Sequence, residues 1–189
     1  MIKRHPTRKI WALIPVFLFL FAFACENAKE PNAIFQAKKL YGKKIEFPAS
    51  YFPIAAEGRA FSIDAELAKP LKIVTYIDKN SCSECALRIL LHWSKLLEEL
   101  SGDTVGFIPV VYPIDVIDLI EALNNLHIDL PLFYDIDDMF LKMNKLEKAL
   151  AKNRTFLLDS DNKIIVIGEP LASAKLWQLY KDVLERDRL

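Results

Sequence analysis

The sequence lacks several features that would point to particular classes of protein. Its 189 residues contain no tract of basic residues and no basic patch interleaved with aromatics, so nucleic acid is not an expected partner. Internal repeats and low-complexity segments are also missing, which predicts one uninterrupted domain. With 52% hydrophobic residues, the chain is expected to bury one good core and no more than one.

Cysteine is scarce as well: the chain has three, and two of them form the pair Cys82-Ser83-Glu84-Cys85. A disulfide between residues three apart closes too small a loop to stabilise a fold through chain entropy. Two thiols at this spacing in an exported protein form a disulfide readily. We therefore predict a redox-active Cys82–Cys85 disulfide; the alternative is a pair of small buried residues at a helix start.

No hydrophobic run reaches the ~20 residues that a membrane-spanning helix prefers. The apolar run Ile10–Ala24 follows a basic start and ends in Ala22-Phe23-Ala24-Cys25. Small residues before a cysteine resemble the end of a bacterial lipoprotein signal peptide, in which the cysteine becomes the lipidated N-terminus. Residues 1–24 are therefore predicted to be a signal peptide, with lipid on Cys25 as the membrane anchor. An uncleaved N-terminal anchor is the alternative, and both predict an exported domain.

The net charge of zero hides an asymmetry along the chain. Residues 1–24 hold four basic and no acidic residues. Removing them leaves 21 basic against 25 acidic residues, a net charge of about −4 for the mature chain. The exported part is therefore expected to be mildly acidic.

The stretch Leu71–Leu100 organises the rest of the domain. Leu71–Ile77 is short and rich in β-branched and aromatic residues, which predicts a strand. Ser81 and Glu84 fit the S-x-x-E capping box, so a helix is predicted to begin at the Ser81 cap. Apolar residues then recur at the three-and-four spacing of a buried helix face, at Ala86, Ile89, Leu90, Trp93, Leu96, Leu97 and Leu100.

A cysteine in the first turn of a helix has a specific chemical advantage. The unpaired N–H groups and the dipole of the helix start favour a thiolate, which is the nucleophile in disulfide exchange. Cys82, nearer the helix start, is predicted to be the attacking thiol. Cys85, one turn further on, is predicted to resolve the mixed disulfide.

The remaining chain is predicted to alternate strands with helices. Residues 25–40 are predicted to be a polar tether, and Gly42–Pro48 and Arg59–Ile63 to be short strands ahead of the main sheet. Further strands are predicted at Val105–Tyr112 (with a bulge or early exit at Pro109), Leu130–Tyr134, Thr155–Leu158 and Lys163–Ile167. Helices are predicted at Pro113–His127, Asp137–Leu150 and Leu171–Arg186.

This order of elements predicts an α/β fold for residues 41–189. Its central sheet is expected to be mostly parallel, with a C-terminal antiparallel hairpin and helices on both faces. Within the helix Asp137–Leu150, the inner face is predicted to hold Met139, Phe140, Met143, Leu146 and Leu150.

The order of elements, with Cys-x-x-Cys at the first main strand-to-helix turn, resembles the thioredoxin fold. The extra helix and strand between Pro113 and Tyr134 resemble the insertion of TlpA-like and peroxiredoxin-like proteins. Arg154–Lys163 is similar to the T-F-L-I-D-x-D-G-K strand-turn of that branch. With the lead-in Gly-Lys-x-Ile-x-Phe-Pro at Gly42–Pro48, the chain resembles short exported thioredoxin-like lipoproteins of Gram-negative anaerobes.

The resemblance comes with two departures beside the cysteines and one missing motif. Thioredoxins usually carry Trp before the first cysteine, where this chain has Ser81. They also carry a cis-proline before the strand that Thr155 opens, where this chain has Asn153-Arg154. The Pro-x-x-x-Thr-x-x-Cys motif of peroxiredoxins is missing, because Lys79 stands where the Thr should be. Peroxidase activity is therefore not expected.

Other polar residues near the pair have a functional and a structural interpretation. Glu84 raises the pKa of the attacking thiol or is only the capping-box acid. Asp78 relays a proton to a buried thiol or is a turn residue at a strand end. Arg154 lines the site opposite the cysteines or is a solvated strand-end arginine. His92 and His127 are not predicted to bind metal, because His92 lies two turns beyond Cys85.

The sequence thus predicts a cell-envelope thiol–disulfide oxidoreductase that needs no bound cofactor and no metal. Its expected partners are disulfide-containing exported proteins, a redox protein that resets the pair, and the membrane that holds the lipid. The alternatives are a non-catalytic thioredoxin-like binding lipoprotein and a protein whose two thiolates bind a soft metal.

Overall fold

A six-stranded sheet with helices on both faces forms the centre of the structure. The computed structural model describes residues 38–49, 52–54, 62–77, 83–100, 105–112, 116–128, 130–146 and 154–186. Within these ranges, the side chains of residues 52–54, 83–87, 116, 119 and 172 lie outside the description.

The elements alternate along the chain. The strands are β1 (Phe52–Ile54), β2 (Leu71–Ile77), β3 (Val105–Val111), β4 (Leu132–Tyr134), β5 (Thr155–Leu158) and β6 (Ile164–Ile167). The helices are α1 (Ile63–Leu67), α2 (Ser83–Glu99), α3 (Val116–Asn125), α4 (Met139–Asn144) and α5 (Ala174–Arg186), with a short 3-10 helix at Pro170–Ala172 before α5. The predicted strands agree with β2 to β6 to within two residues at each end.

The strand order β1-β4-β3-β2-β5-β6 places β2 and β3 at the centre of the sheet. Strands β2, β3 and β4 are parallel, whereas β5 and β6 form an antiparallel hairpin beside β2. The predicted fold class, an α/β fold with a parallel centre and a C-terminal antiparallel hairpin, is confirmed.

Strand β2 is buried along its whole length. It pairs with β3 over seven residues, from Leu71↔Val105 to Ile77↔Val111, and with β5 on its other side. A strand covered on both faces needs apolar residues at successive positions, which explains its near-continuous β-branched and aromatic sequence. It ends at Ile77, where the predicted cysteine turn begins.

The two faces of the sheet hold separate cores. On one face, Ile73 and Ile77 pack with Trp93 of α2 and Tyr180 of α5, and the ring of Trp93 lies 5.2 Å from that of Phe107. The other face is covered by α4 and by α1 at its edge, and its largest side chains include Tyr76, Phe133, Phe140 and Phe156. We call these the α2 face and the α4 face.

Helix α2 follows β2 along the chain, so the predicted strand and helix are confirmed, while the turn predicted between them, residues 78–82, lies outside the described residues. Leu90 and Trp93 are fully buried on the α2 face, as the three-and-four spacing predicts. Helix α2 ends at Glu99, and Leu100 is buried just beyond it.

One prediction for the N-terminal part of the domain is wrong, and a second is contradicted at its last residue. Gly42–Pro48 forms an isolated bridge, Lys44↔Lys163, rather than a strand, because its backbone follows the chain only briefly at the start of β6. Ile63 begins helix α1 rather than ending a strand, while residues 59–61 lie outside the described residues. Strand β1, antiparallel to β4, was not predicted.

Helix α4 is shorter than predicted, and the face that it turns towards the core differs from the predicted one. It stops at Asn144 because Lys145 adopts the left-handed conformation, with φ 51°. Phe140 and Leu146 are buried as predicted, but Met139 and Met143 are 40% and 36% exposed, so their predicted inner position is wrong. Asp135 sets the helix start, since its two carboxylate oxygens accept hydrogen bonds from the backbone N–H groups of Met139 and Phe140, both at 2.9 Å. Residue 150 lies outside the described residues.

Strand β3 and the start of α5 differ from the prediction in smaller ways. Strand β3 runs through Pro109 in unbroken register with β2, so the predicted bulge or early exit is wrong. Proline is tolerated there because β4 pairs only with Val110 and Val111, the residues after it. The last predicted helix is divided, since Ser173 is extended between the 3-10 helix and α5. No helix within the described ranges has the length and hydrophobicity needed to cross a membrane.

Lys72 is a fully buried cation in the first half of β2. Its Nζ donates to the backbone oxygen of Ser160, 3.2 Å away in the β5–β6 turn. Burial lowers the pKa of Lys72, although the nearby charges of Asp159 and Asp161 oppose that shift. The folded protein therefore binds this proton less tightly than the unfolded chain does.

We expect Lys72→Met to raise the free energy of unfolding by on the order of 1 kcal/mol at neutral pH, because it removes a buried charge while keeping the packed volume. The wild type should gain stability as the pH rises through the lowered folded pKa towards 10.5, the ordinary value, and the variant should not. Urea unfolding between pH 7 and 10 measures both effects. The exposed Lys163→Met, beside the same acidic turn, is the control; a stabilisation equal to that of Lys72→Met would contradict the role of burial.

Candidate functional site

The candidate site lies at the edge of the sheet where the parallel strands end. The C-terminal residues of β2, β3 and β4 are Ile77, Val111 and Tyr134, and we call this side of the sheet the carboxyl edge. Helix α2 begins at Ser83, six residues after Ile77, and Cys85 lies in its first turn. Ligand and active sites of α/β sheets gather at such edges because the connecting loops converge there.

Most of the predicted site residues lie outside the described residues or are described only by their backbone. Cys25, Asp78, Ser81 and Cys82 lie outside them. Glu84 and Cys85 lie in the first turn of α2, and their side chains are not described. The Cys82–Cys85 disulfide, the capping box and the roles of Asp78 and Glu84 therefore stay predictions.

Arg154 lies beside the strand that leads to the cysteines. It stands directly before β5, and its backbone oxygen accepts a hydrogen bond of 2.8 Å from the N–H of Tyr76, the penultimate residue of β2. No cis peptide bond occurs among the described residues. Arg154 is half-buried at the carboxyl edge, while Asn153, the other residue predicted to stand in place of the thioredoxin proline, lies outside the described residues.

Three polar side chains from separate strands and a turn form a buried chain on the α2 face. The Thr75 and Thr155 hydroxyl oxygens are 3.0 Å apart, and the Thr155 hydroxyl donates to Oε2 of Glu169 at 2.6 Å. A threonine hydroxyl has one proton to give, so Thr155 accepts from Thr75 while it donates to Glu169. Both threonines are buried and Glu169 is half-buried. We call this arrangement the Thr75–Thr155–Glu169 chain.

The backbone holds Glu169 in place just after β6. The N–H of Gly168 donates to the backbone oxygen of Thr155 at 2.8 Å, and the Tyr180 hydroxyl donates to the backbone oxygen of Gly168 at 3.0 Å. Gly168 adopts φ 122°, and a Cβ there would lie 2.8 Å from a methyl carbon of Leu176. Glycine at this position therefore allows the chain to turn against α5 and present Glu169 to Thr155.

The ionisation of Glu169 is governed chiefly by burial, which raises the pKa of its carboxyl. The hydrogen bonds from Thr155 and from the N–H of Leu171 oppose that shift, as does the charge of His92 on α2. Burial also raises the pKa of Tyr180, so its hydroxyl stays neutral and acts as a donor.

Little in the sequence indicates the Thr75–Thr155–Glu169 chain. Thr75 and Thr155 are 80 residues apart, and Thr155 and Glu169 are 14 apart, so strand register alone brings them together. The sequence holds two local signals: Thr155 is a polar residue at the start of an apolar strand, and Glu169 is an acid between Gly168 and Pro170. Neither signal indicates which residue the side chain contacts.

The α4 face carries its own polar contacts at the same edge. The Tyr76 hydroxyl donates to Asp138 at 2.7 Å, which ties the start of α4 to the end of β2. Burial raises the pKa of the Asp135 carboxyl, and its hydrogen bonds from the α4 backbone oppose the shift. His92 and His127 are exposed, and no group of three metal-ligating side chains occurs among the described residues.

Comparison with known proteins identifies the architecture. No family model matches the sequence, and no curated protein matches it. The thioredoxin domain of a thiol-disulfide oxidoreductase from Bacteroides vulgatus superposes with a TM-score of 0.53 at 16% identity, over 76% of this chain and 97% of that one. This chain has a thioredoxin-like fold. The family resemblance inferred from the residues is confirmed at the level of the fold.

Two further structures support the same conclusion. A thioredoxin-like protein solved in its oxidised form has a TM-score of 0.57 at 14% identity, over 78% of this chain and 98% of that one. A PrxQ mutant from Xylella fastidiosa has a TM-score of 0.54 at 13% identity, over 76% and 96%. The thioredoxin-like and peroxiredoxin-like branches are thus both similar to this chain in fold.

We expect Thr155→Val to lower the free energy of unfolding by about 1–3 kcal/mol, because it leaves Glu169 and Thr75 without their shared partner. Thr75→Val is the matched control and should cost less, about 1 kcal/mol, since the bond between Thr155 and Glu169 survives. Urea unfolding of the two variants and the double variant measures the coupling. Equal losses for the single variants, or a strictly additive double variant, would contradict the chain.

Proposed function

We propose that the protein is a thiol–disulfide oxidoreductase of the cell envelope that uses Cys82 and Cys85. The observation that carries the proposal is the position of Cys85 in the first turn of α2, directly after the central strand of a thioredoxin-like fold. The start of a seventeen-residue helix is where a thiolate is stabilised. Its fold neighbours include the thioredoxin domain of a thiol-disulfide oxidoreductase from Bacteroides vulgatus.

The reaction follows from the chemistry of two neighbouring thiols. The Cys82 thiolate attacks one sulfur of a substrate disulfide, forms a mixed disulfide and releases the other substrate sulfur as a thiolate, which takes up a proton. Cys85 loses its proton and attacks Cys82, which releases the second substrate thiol and leaves Cys82–Cys85 oxidised. Two electrons pass from the pair to the substrate, and a second thiol protein returns them.

The cellular location is proposed from the N-terminal sequence. The basic start, the apolar run Ile10–Ala24 and the small residues before Cys25 support export with lipid attachment at that cysteine. An oxidising compartment outside the cytoplasm is also where a disulfide chemistry of this kind operates.

A second function, non-catalytic binding, is favoured by Arg154. It stands at the position where thioredoxins carry the proline that shapes substrate docking, and it borders the end of β2. A bulky cation there changes the surface that a substrate backbone meets. The same experiment separates the two functions, because a binding module has no turnover.

We expect the full-length chain, kept soluble in a mild non-ionic detergent, to accelerate the reduction of insulin by dithiothreitol by on the order of tenfold. Cys82→Ser should abolish the acceleration, because it removes the attacking sulfur. Cys85→Ser, reduced and then freed of dithiothreitol so that the reductant cannot cleave the product, should accumulate a mixed disulfide with insulin, visible on a non-reducing gel. Cys25→Ser is the control and should keep the activity.

A wild-type rate equal to that of Cys82→Ser would refute the catalytic proposal. Retained binding of an exported disulfide protein by that inactive wild type would support the binding module instead.

A further inference from the structure

Helix α5 carries an apolar row that the core of the α2 face covers only in part. Leu176 and Val183 are half-buried and pack against that core, whereas Leu179, which lies between them at the three-and-four spacing, is 44% exposed. An open apolar depression lies at Leu176 and Leu179, and the described residues that line it all belong to one segment, Ser173–Asp182. A single segment provides only one side of a contact.

Two opposite charges flank the exposed leucine. Lys175 lies one turn before Leu179 and Asp182 one turn after it, so the three residues share one face of α5, and both charged side chains are exposed. Lys175 and Asp182 are seven residues apart, beyond the three- or four-residue spacing at which side chains of one helix pair. Gln178 donates to the Asp182 carboxylate at 2.8 Å, which holds that carboxylate along the helix surface.

The placement of these two charges opposes the helix dipole. A helix start favours acidic residues, and a helix end favours basic ones. The first turn of α5 holds Lys175 and no acidic residue, while Asp182 lies in the C-terminal half of the helix. The stability of α5 by itself therefore does not account for either position, which favours a contact outside the helix.

We propose that α5 pairs with α5 of a second copy of this chain, antiparallel about a two-fold axis at Leu179. In that arrangement, positions before Leu179 in one copy face positions after it in the other. Lys175 of each copy then faces Asp182 of the other, Leu176 faces Val183, and the two Leu179 side chains meet at the axis. A two-fold contact uses the same surface twice and must complement itself, as these five residues do. We call them the α5 seam.

A second copy fits the α5 seam better than the apolar segment of the chain itself does. Ile10–Ala24 contains no charged residue, so it would cover Leu179 but offer no opposite charge to Lys175 or Asp182. A second α5 supplies both the apolar row and the two opposite charges. The contact uses no thiol, so it goes beyond the proposed function and does not depend on it.

The size of the contact makes the association weak. Helix α5 has 13 residues, a length of about 20 Å. Two paired helices of this length bury less than the ~1,200 Å² at which stable interfaces begin. Copies held on one membrane by the proposed lipid at Cys25 would meet at a higher effective concentration than copies in solution. The dimer is therefore expected to be reversible, and salt should weaken it because the charge pairs are exposed.

The first test measures association of the full-length chain in a mild non-ionic detergent, by sedimentation velocity over a range of concentrations. We expect a reversible equilibrium between monomer and dimer. Lys175→Glu and Asp182→Lys should each weaken the dimer about tenfold, because each change turns two attractions per dimer into two repulsions. Both changes place charge as the helix dipole favours, so α5 is expected to fold in each variant.

Combining the two changes separates pairing from any effect on the fold. The double variant Lys175→Glu/Asp182→Lys should restore the wild-type affinity to within about threefold, because the charges are exchanged. A mixture of the two single variants should also associate, because each copy then meets the opposite charge in the other. Leu179→Ser removes the apolar centre and should weaken the dimer without changing any charge.

A cross-link locates the two-fold axis. The background Cys25→Ser/Cys82→Ser/Cys85→Ser removes all three natural cysteines. In that background, Leu179→Cys should give covalent dimers with a short bismaleimide, because two copies meet at this position. Glu185→Cys is the control, exposed on the same helix but about 9 Å further along its axis. Two copies of that position lie about 18 Å apart along the paired helices and should give few dimers.

The outcomes separate this proposal from the other possible occupants. Single reversals that leave the association unchanged, or a double variant as weak as the single ones, would overturn it. Equal cross-linking at positions 179 and 185 would also overturn it, since the copies would then meet without a defined axis. Protection of Leu179→Cys from a soluble maleimide that persists on dilution would show that the chain's own segment covers the α5 seam, and would overturn it too. Cys82→Ser should associate as the wild type does, so loss of thiol activity and loss of association are distinct results.

Discussion

The burial of β2 on both faces and its pairing on both sides fix the position of everything else in the domain. Seven residues pair with β3 on one side, and β5 pairs on the other. Side chains alternate between the α2 face and the α4 face, so a slip of one residue would exchange the two cores. Ile77 ends the strand at a defined place, and the turn to α2 starts from that place.

The same register assembles the polar chain on the α2 face. Thr75 and Thr155 meet because antiparallel pairing sets them opposite each other, and Gly168 follows in the next strand. Burial of apolar residues elsewhere in the sheet stabilises the strand pairing. That pairing holds hydroxyl and carboxylate groups together, and burying these groups without hydrogen-bond partners would cost free energy. The structure places a partly buried acid at the carboxyl edge without using a residue of the cysteine turn.

Local sequence patterns predicted the elements whose buried positions recur at a regular spacing. They failed where a single contact or backbone conformation decides where an element starts or ends. The β-branched run of β2 and the three-and-four spacing of α2 identified both elements and the core position of Trp93. Met139 and Met143 were misplaced because Asp135 sets the start of α4 and left-handed Lys145 sets its end. The Thr75–Thr155–Glu169 chain depends on the strand register that brings together Thr75 and Thr155, 80 residues apart, and no local pattern records that register.

The N-terminal crossing at β6 has a consequence for how partners can bind. The backbone of Gly42 bonds to Ile164 and that of Ile45 bonds to Asn162, so the open side of β6 is covered by the chain itself at the start of the strand. At the opposite margin of the sheet, β1 is only three residues long. Among the described residues, the covered start of β6 and the short β1 therefore limit the backbone that an incoming strand can pair with, which opposes strand-to-strand aggregation. A partner strand that approached the start of β6 would first have to displace this segment of the chain.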